Sequence, residues 1–138
     1  MQLGFEHVQF TCSDMDKTLH FYCNLVGFRL IVRREMPDGG EIAFIECNGG
    51  AQLEIVRPAG DVRTPVDALP RTEVGIKHFA LVVDDIDEMY RRLSAAGVEY
   101  PIPPRDAINS DMIRRTSHSK DPDGVVVEFV ERSAARAI

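Results

Sequence analysis

The chain has 138 residues, of which 44% are hydrophobic and 28% are charged, and its net charge at neutral pH is −6. These values are typical of one globular domain, or of two small halves that share a core, and they exclude a largely disordered chain. An acidic chain without a basic stripe argues against a nucleic-acid partner. No apolar run approaches the roughly 18 residues that cross a bilayer, so we expect no membrane partner.

Three cysteines without a CxxC pair, and an N-terminus without the pattern of a signal peptide, predict a cytoplasmic protein with unpaired thiols.

The first half of the chain, residues 1–57, predicts one strand, one helix and three further strands. The helix begins after Ser13-Asp14 and ends at Gly27, because acidic N-caps and C-terminal glycines mark helix ends. "PDGG" and "NGG" supply turns between the last strands. We expect the strands near 5–12, 28–35, 41–47 and 51–57.

The second half, residues 75–132, predicts the same order of elements. Its helix begins after Asp84-Asp85 and ends at Gly97, and "DPDG" forms the last turn. Between the halves, residues 58–74 contain three prolines and no clear periodicity, which is typical of a linker. Residues 133–138 form a C-terminal tail. We expect the strands near 76–83, 98–103, 112–119 and 125–131.

The two halves are an internal repeat. His7 and Asp16 recur as His78 and Asp87 at an offset of 71 residues, and Glu54 recurs as Glu128 at an offset of 74. The sequence therefore predicts an α+β fold of two paired βαβββ modules. One such module has too little core to be stable alone, so we expect the two to pack together.

Two histidines and two glutamates occupy matching positions of this repeat on strands that are otherwise apolar. A carboxylate buried in such surroundings costs several kcal/mol unless it is paired or binds a metal. Neutral imidazoles and carboxylates together suit a divalent transition metal. The pattern thus indicates a metal site with the ligands His7, Glu54, His78 and Glu128.

The motifs "HFALVVDDID", "FYCNLVGF" and "DPDGVVVEFVE" resemble the vicinal oxygen chelate superfamily over roughly residues 5–131. That superfamily includes glyoxalase I, methylmalonyl-CoA epimerase, extradiol dioxygenases, and fosfomycin and bleomycin resistance proteins. The resemblance implies curved mixed sheets around a metal cleft, with the same four ligands. It also implies a divalent ion (Ni, Co, Zn, Mn or Fe), a small-molecule substrate and a homodimer.

Four filled ligand positions favour a glyoxalase I-like lyase or isomerase that acts on a small oxygen-rich metabolite, either a 2-oxo compound or a thioester. The resemblance gives Glu128 as the first candidate for the base and Glu54 as the second. A ligand-binding resistance protein and an extradiol-type dioxygenase remain alternatives. Thr11 and Pro58 stand where glyoxalase I usually has Arg and Asn, which argues against a glutathione substrate.

Further polar residues on these strands are candidates for binding the substrate. Strand alternation lets only one of Arg114 and Arg115 face the cleft, where an arginine could bind a carboxylate or phosphate. His118 could line the mouth of the cleft or hydrogen-bond the "DPDG" turn, and we favour the turn. The predicted substrate-binding residues are Gln9, Thr11, Gln52 and Arg115.

Overall fold

The computed structural model describes residues 1–63, 71–108 and 110–134. Residues 64–70 of the predicted linker at 58–74, and residues 135–138 of the predicted tail at 133–138, lie outside the described residues. The chain divides into two compact units, Met1–Thr64 and Pro65–Ile138.

The first unit is a βαβββ module with a four-stranded mixed sheet. The spatial strand order is β1-β4-β3-β2, in which β1 is parallel to β4 and the other neighbours are antiparallel. In chain order the elements are β1 (His7–Thr11), α1 (Met15–Leu19), a π-helical segment (His20–Val26), β2 (Arg29–Glu35), β3 (Glu41–Glu46) and β4 (Gln52–Arg57).

The second unit repeats this topology with the order β5-β8-β7-β6, and β5 is parallel to β8. Its elements are β5 (Phe79–Val82), α2 (Ile86–Ala95), β6 (Ile102–Asp106), β7 (Ile113–Lys120) and β8 (Val126–Arg132). The predicted α+β fold of two βαβββ modules with mixed sheets is confirmed.

The helix ends follow the predicted signals. The Asp14 carboxylate accepts a hydrogen bond from the Lys17 backbone N–H at 3.0 Å, and Asp85 accepts one from the Glu88 N–H at 2.8 Å. Gly27 ends the first helical segment at φ +113°, a conformation that costs glycine little because it has no Cβ. The π-helical turn before it was not predicted; there the Gly27 N–H bonds to the Tyr22 carbonyl five residues back.

Two strand predictions are displaced. β6 begins at Ile102, not near residue 98, and it lies at the sheet edge. Prolines at 101, 103 and 104 lack an N–H and are tolerated only at such an edge. β5 begins at Phe79, so His78 lies one residue before the strand.

Each sheet buries one face against its own helix. In the first unit Ala43, Ile45 and Ile55 are fully buried, and in the second Val127 and Phe129 are. Side chains alternate along a strand, so Glu54 and Glu128 project from the opposite face of their sheets. We call these surfaces the Glu54 face and the Glu128 face, and the other two the helix faces.

Residues of opposite charge lie opposite each other at equivalent positions of the two helix faces, and the order of the charges is reversed between the units. Glu41 of β3 lies opposite Arg57 of β4, and its carboxylate accepts from the Arg57 Nε at 2.9 Å. In the second unit the equivalent cross-strand partners are Arg115 of β7 and Glu131 of β8. Within the described part of the chain, no helix is long and apolar enough to cross a membrane.

Candidate metal centre

His7 and Glu54 form a pair on the Glu54 face of the first unit. Gln9 lies opposite Glu54 in the parallel β1–β4 ladder, and His7 is two residues before Gln9 on the same face. This register brings the His7 Nε2 to 3.0 Å from the Glu54 Oε2. The Nδ1 of the same ring contacts the Glu6 carboxylate.

His78 and Glu128 repeat this arrangement on the Glu128 face. Ala80 lies opposite Glu128 in the β5–β8 ladder, and His78 again precedes the opposed residue by two. The His78 Nε2 lies 2.9 Å from the Glu128 Oε2. The structure therefore brings each predicted His–Glu pair together within its own unit.

His118 joins the second pair, whereas the sequence analysis favoured a role for it at the "DPDG" turn. It lies directly opposite Glu128 in the antiparallel β7–β8 ladder, and its Nε2 is 3.5 Å from the Glu128 Oε1. Its ring centroid is 5.1 Å from that of His78. The prediction that His118 serves the "DPDG" turn is wrong, because its imidazole faces the carboxylate. The turn sets the register of the β7–β8 hairpin, and counting residues back from the turn on both strands places His118 opposite Glu128.

Potential donor atoms of His78, His118 and Glu128 all lie within 4.8 Å of one another, which makes this group capable of holding a metal ion. The Thr116 hydroxyl donates to the Glu128 Oε1 at 2.5 Å and so fixes one oxygen of the carboxylate. The second unit thus contributes three donors and a hydrogen bond that orients one of them.

The charges around Glu54 and Glu128 set them apart from other half-buried carboxylates. Their side chains are only 13% and 14% exposed. Among the described residues, every ion-pair partner of these two carboxylates is a histidine, whereas Glu41 and Glu131 pair with arginines. A carboxylate so desolvated is stabilised by a cation, which the imidazoles do not supply when neutral.

Two of the imidazoles have perturbed pKa values in opposite directions. The hydrogen bond with Glu6 raises the pKa of His7 above its ordinary value of 6.5. Burial lowers the pKa of His118 below the same value, which keeps that ring neutral and its lone pair available at neutral pH. The donor types of the second unit, and the neutral ring of His118, therefore fit a divalent transition metal.

The predicted substrate-binding residues do not share one environment. Gln9 and Thr11 are exposed on the Glu54 face, and the Gln52 amide on that face donates to Glu46 at 3.4 Å. Arg115 contradicts its prediction. It lies on the helix face opposite Glu131, and its guanidinium binds both oxygens of Asp87 at 2.6 and 3.0 Å.

Arg114 does not replace Arg115 as a substrate contact, because its guanidinium pairs with the buried Glu131 carboxylate. A register shift between Ile113 and Arg115 interrupts the simple alternation at this point. Both arginines thus stabilise the helix side of the second unit.

The comparisons with known proteins agree with this architecture. The chain is 24% identical over 131 residues to a probable lactoylglutathione lyase of Synechocystis sp., which covers 94% of this chain and 96% of that protein. The solved structure of SMU.1112c superposes with a TM-score of 0.77 at 25% identity, covering 95% of this chain and 100% of that one. TnmS3, an antibiotic binding protein from Streptomyces sp. CB03234, gives a TM-score of 0.68 at 24% identity, over 96% of this chain and 98% of that one.

The family profile of the Glyoxalase/Bleomycin resistance protein/Dioxygenase superfamily matches residues 4–129. This match covers both modules and both His–Glu pairs, and it confirms the resemblance seen in the sequence motifs. The chain therefore belongs to the Glyoxalase/Bleomycin resistance protein/Dioxygenase superfamily.

Proposed function

We propose that the protein is a metal-dependent lyase or isomerase that acts on a small oxygen-rich metabolite, a 2-oxo compound or a thioester. The observation that carries this proposal is the repeated His–Glu pair, 3.0 Å apart in one module and 2.9 Å apart in the other. The proposal requires that His7, Glu54, His78 and Glu128 bind one divalent cation.

The chemistry of these side chains supports a proton-transfer reaction. When bound, the cation supplies Lewis-acid stabilisation of the negative charge that develops as a carbon next to a carbonyl loses its proton. Glu128 is the proposed base, since a half-buried carboxylate can take a proton and return it. Thr116 holds one oxygen of Glu128, which leaves the other oxygen, beside His78, as the candidate acceptor. Glu54 is the second candidate.

The names of the relatives support a lyase, but they do not identify the substrate of this protein. The Synechocystis relative is named a probable lactoylglutathione lyase. In this chain Thr11 and Pro58 occupy the positions at which glyoxalase I usually has Arg and Asn. We therefore propose a substrate other than a glutathione thioacetal. The homodimer and the cytoplasmic location expected from the sequence remain part of this proposal.

The first test is elemental analysis of the purified protein and of Glu54→Ala and His78→Ala. We expect about one equivalent of Ni, Co, Zn or Mn in the wild type and a lower metal content in both variants. Glu46→Ala is the matched control, because Glu46 projects from the Glu54 face but pairs with Arg29 at 2.5 Å. An unchanged metal content in both ligand variants would refute the joint site.

The second test separates catalysis from binding. Candidate 2-oxo compounds and acyl-CoA esters are incubated in deuterated water with the metal-loaded protein, and deuterium uptake at the carbon next to the carbonyl is followed by NMR. We expect uptake that Glu128→Gln abolishes while the metal is retained. Binding of such compounds without uptake would favour a ligand-binding protein, in keeping with the antibiotic-binding structural neighbour.

A further inference from the structure

We propose that His118 is a metal ligand, so that the second module contributes three donors, His78, His118 and Glu128, to the divalent cation. The inference rests on the proposed function in taking Glu128 as a metal ligand. It adds His118 to the ligands, so that the second module supplies three donors and the first module supplies two.

The geometry of the three side chains carries the inference. A cation bound to two donors at about 2.0–2.2 Å keeps those donors within roughly 4.4 Å of each other. The Nε2 of His78 and the Nε2 of His118 lie 2.9 and 3.5 Å from different oxygens of the Glu128 carboxylate. Donor atoms of all three residues lie within 4.8 Å of one another, so two imidazole nitrogens and one carboxylate converge to nearly the separation that a bound cation requires.

The surroundings of the cluster favour a ligand role for His118 over a purely structural one. Its side chain is 18% exposed, and the strand neighbours on the other face, Ser117 and Ser119, are buried towards the helix. The Glu128 carboxylate that it faces has no arginine or lysine partner within the described part of the chain. A cation placed between them would satisfy both the carboxylate and the two imidazole lone pairs.

The first module provides an internal comparison, because Phe44 occupies the position equivalent to His118. Phe44 lies opposite Glu54 just as His118 lies opposite Glu128. The phenyl ring packs edge-on against His7, with centroids 5.6 Å apart, so the backbone at this position accepts a phenylalanine next to a His–Glu pair. His118→Phe therefore removes the donor while keeping a ring that this fold already accommodates.

The test is Co²⁺ binding by the protein, measured by titration and by proton NMR of the paramagnetic complex. We expect His118→Phe to weaken Co²⁺ binding by at least about tenfold. We also expect it to remove one hyperfine-shifted imidazole N–H signal from the spectrum. Thr116→Val is the matched control, because it removes the hydrogen bond to Glu128 and leaves all three donors, so its signal count should be unchanged. Wild-type affinity and an unchanged signal count in a folded His118→Phe protein would overturn the inference.

A double variant, His7→Phe with Glu54→Gln, separates this inference from the proposed function. We expect it to keep one equivalent of Co²⁺ with lower affinity, and to lose that ion when His118→Phe is added. Complete loss of Co²⁺ from the double variant would overturn the three-donor site and leave the joint site standing. Unchanged affinity in the double variant would support the three-donor site and refute the joint site of the proposed function. A wild-type protein that binds no Co²⁺ would overturn both.

Discussion

Replacing Glu131 by alanine should destabilise the fold far more than neutralising Glu128, although the two carboxylates are three residues apart on β8. Glu131 is 5% exposed and accepts a hydrogen bond from the Ile86 backbone N–H, the first residue of α2, at 2.8 Å. It also pairs with Arg114, whose side chain is 61% exposed. Its removal leaves a buried donor at the start of the helix without an acceptor.

The expected magnitude follows from these contacts. A hydrogen bond to a charged acceptor contributes about 1.5–3 kcal/mol, and an anion at a helix N-terminus adds about 0.3–1 kcal/mol. The exposed Arg114 adds at most about 1 kcal/mol. We therefore expect Glu131→Ala to lower the free energy of unfolding by roughly 2–4 kcal/mol. Glu131→Gln keeps an acceptor oxygen and should cost less.

Glu128→Gln should change the stability of the metal-free protein by less than about 1 kcal/mol, because its amide oxygen can still accept from Thr116. The assay is urea unfolding in the presence of a chelator, with hydrogen exchange of the Ile86 amide as a local readout. A Glu131→Ala protein within about 0.5 kcal/mol of wild type would refute the reasoning. So would a metal-free Glu128→Gln protein as unstable as Glu131→Ala.

Three further predictions concern the arginine pair, the histidines and the metal. Arg115→Gln should leave metal stoichiometry unchanged, and a double-mutant cycle with Asp87→Asn should show only weak coupling, since Asp87 is 59% exposed. Loss of metal or substrate binding would restore Arg115 to the site. In the metal-free protein, NMR titration should place the pKa of His7 above 6.5 and that of His118 below it, with Glu6→Gln moving the His7 midpoint down. The free energy of unfolding should then depend on pH in opposite ways for the two rings. Because the pKa of His118 is lowered by folding, the fold becomes less stable as pH falls through 6.5. Because the pKa of His7 is raised, it contributes stability below 6.5 that is lost as pH rises through the raised pKa. A midpoint on the other side of 6.5 for either ring contradicts its assignment. Metal at 100 times its Kd should raise the free energy of unfolding by about 2.7 kcal/mol over the chelated protein, and equal melting curves would show that no metal binds the native state.

Much of the architecture was predictable because duplication doubles every local signal. Asp14 and Asp85 recur as N-caps, and the glycines that follow each helix recur at the matching positions. A helix-end signal that is weak in one copy supports a prediction when the second copy has it at the same spacing. The two His–Glu pairs were found in the same way.

The position of the polar strand β7 was predicted, but the faces of its side chains were not, for a physical reason. Its small hydroxyl residues Thr116, Ser117 and Ser119 are all buried, so no hydrophobic pattern distinguishes its two faces. The two faces are distinguished only by the register that the following turn sets. That register puts His118 beside Glu128 on one face, and it puts Arg115 on the other face. The start of β6 was predicted too early. The prolines at its beginning lack N–H groups, so strand pairing begins further along the chain.

The reversed charge order on the two helix faces also disfavours pairing between strands of different modules while the chain folds. Strands β3 and β7 occupy the same place in their modules, and each could meet the other module's last strand while the chain folds. Pairing β3 with β8 in the native register would set Glu41 against Glu131, and pairing β7 with β4 would set Arg115 against Arg57. Like charges directly opposite one another destabilise antiparallel strands. Only the correct matches set residues of opposite charge against each other, so the reversed charge order favours pairing of each strand with the partner from its own half.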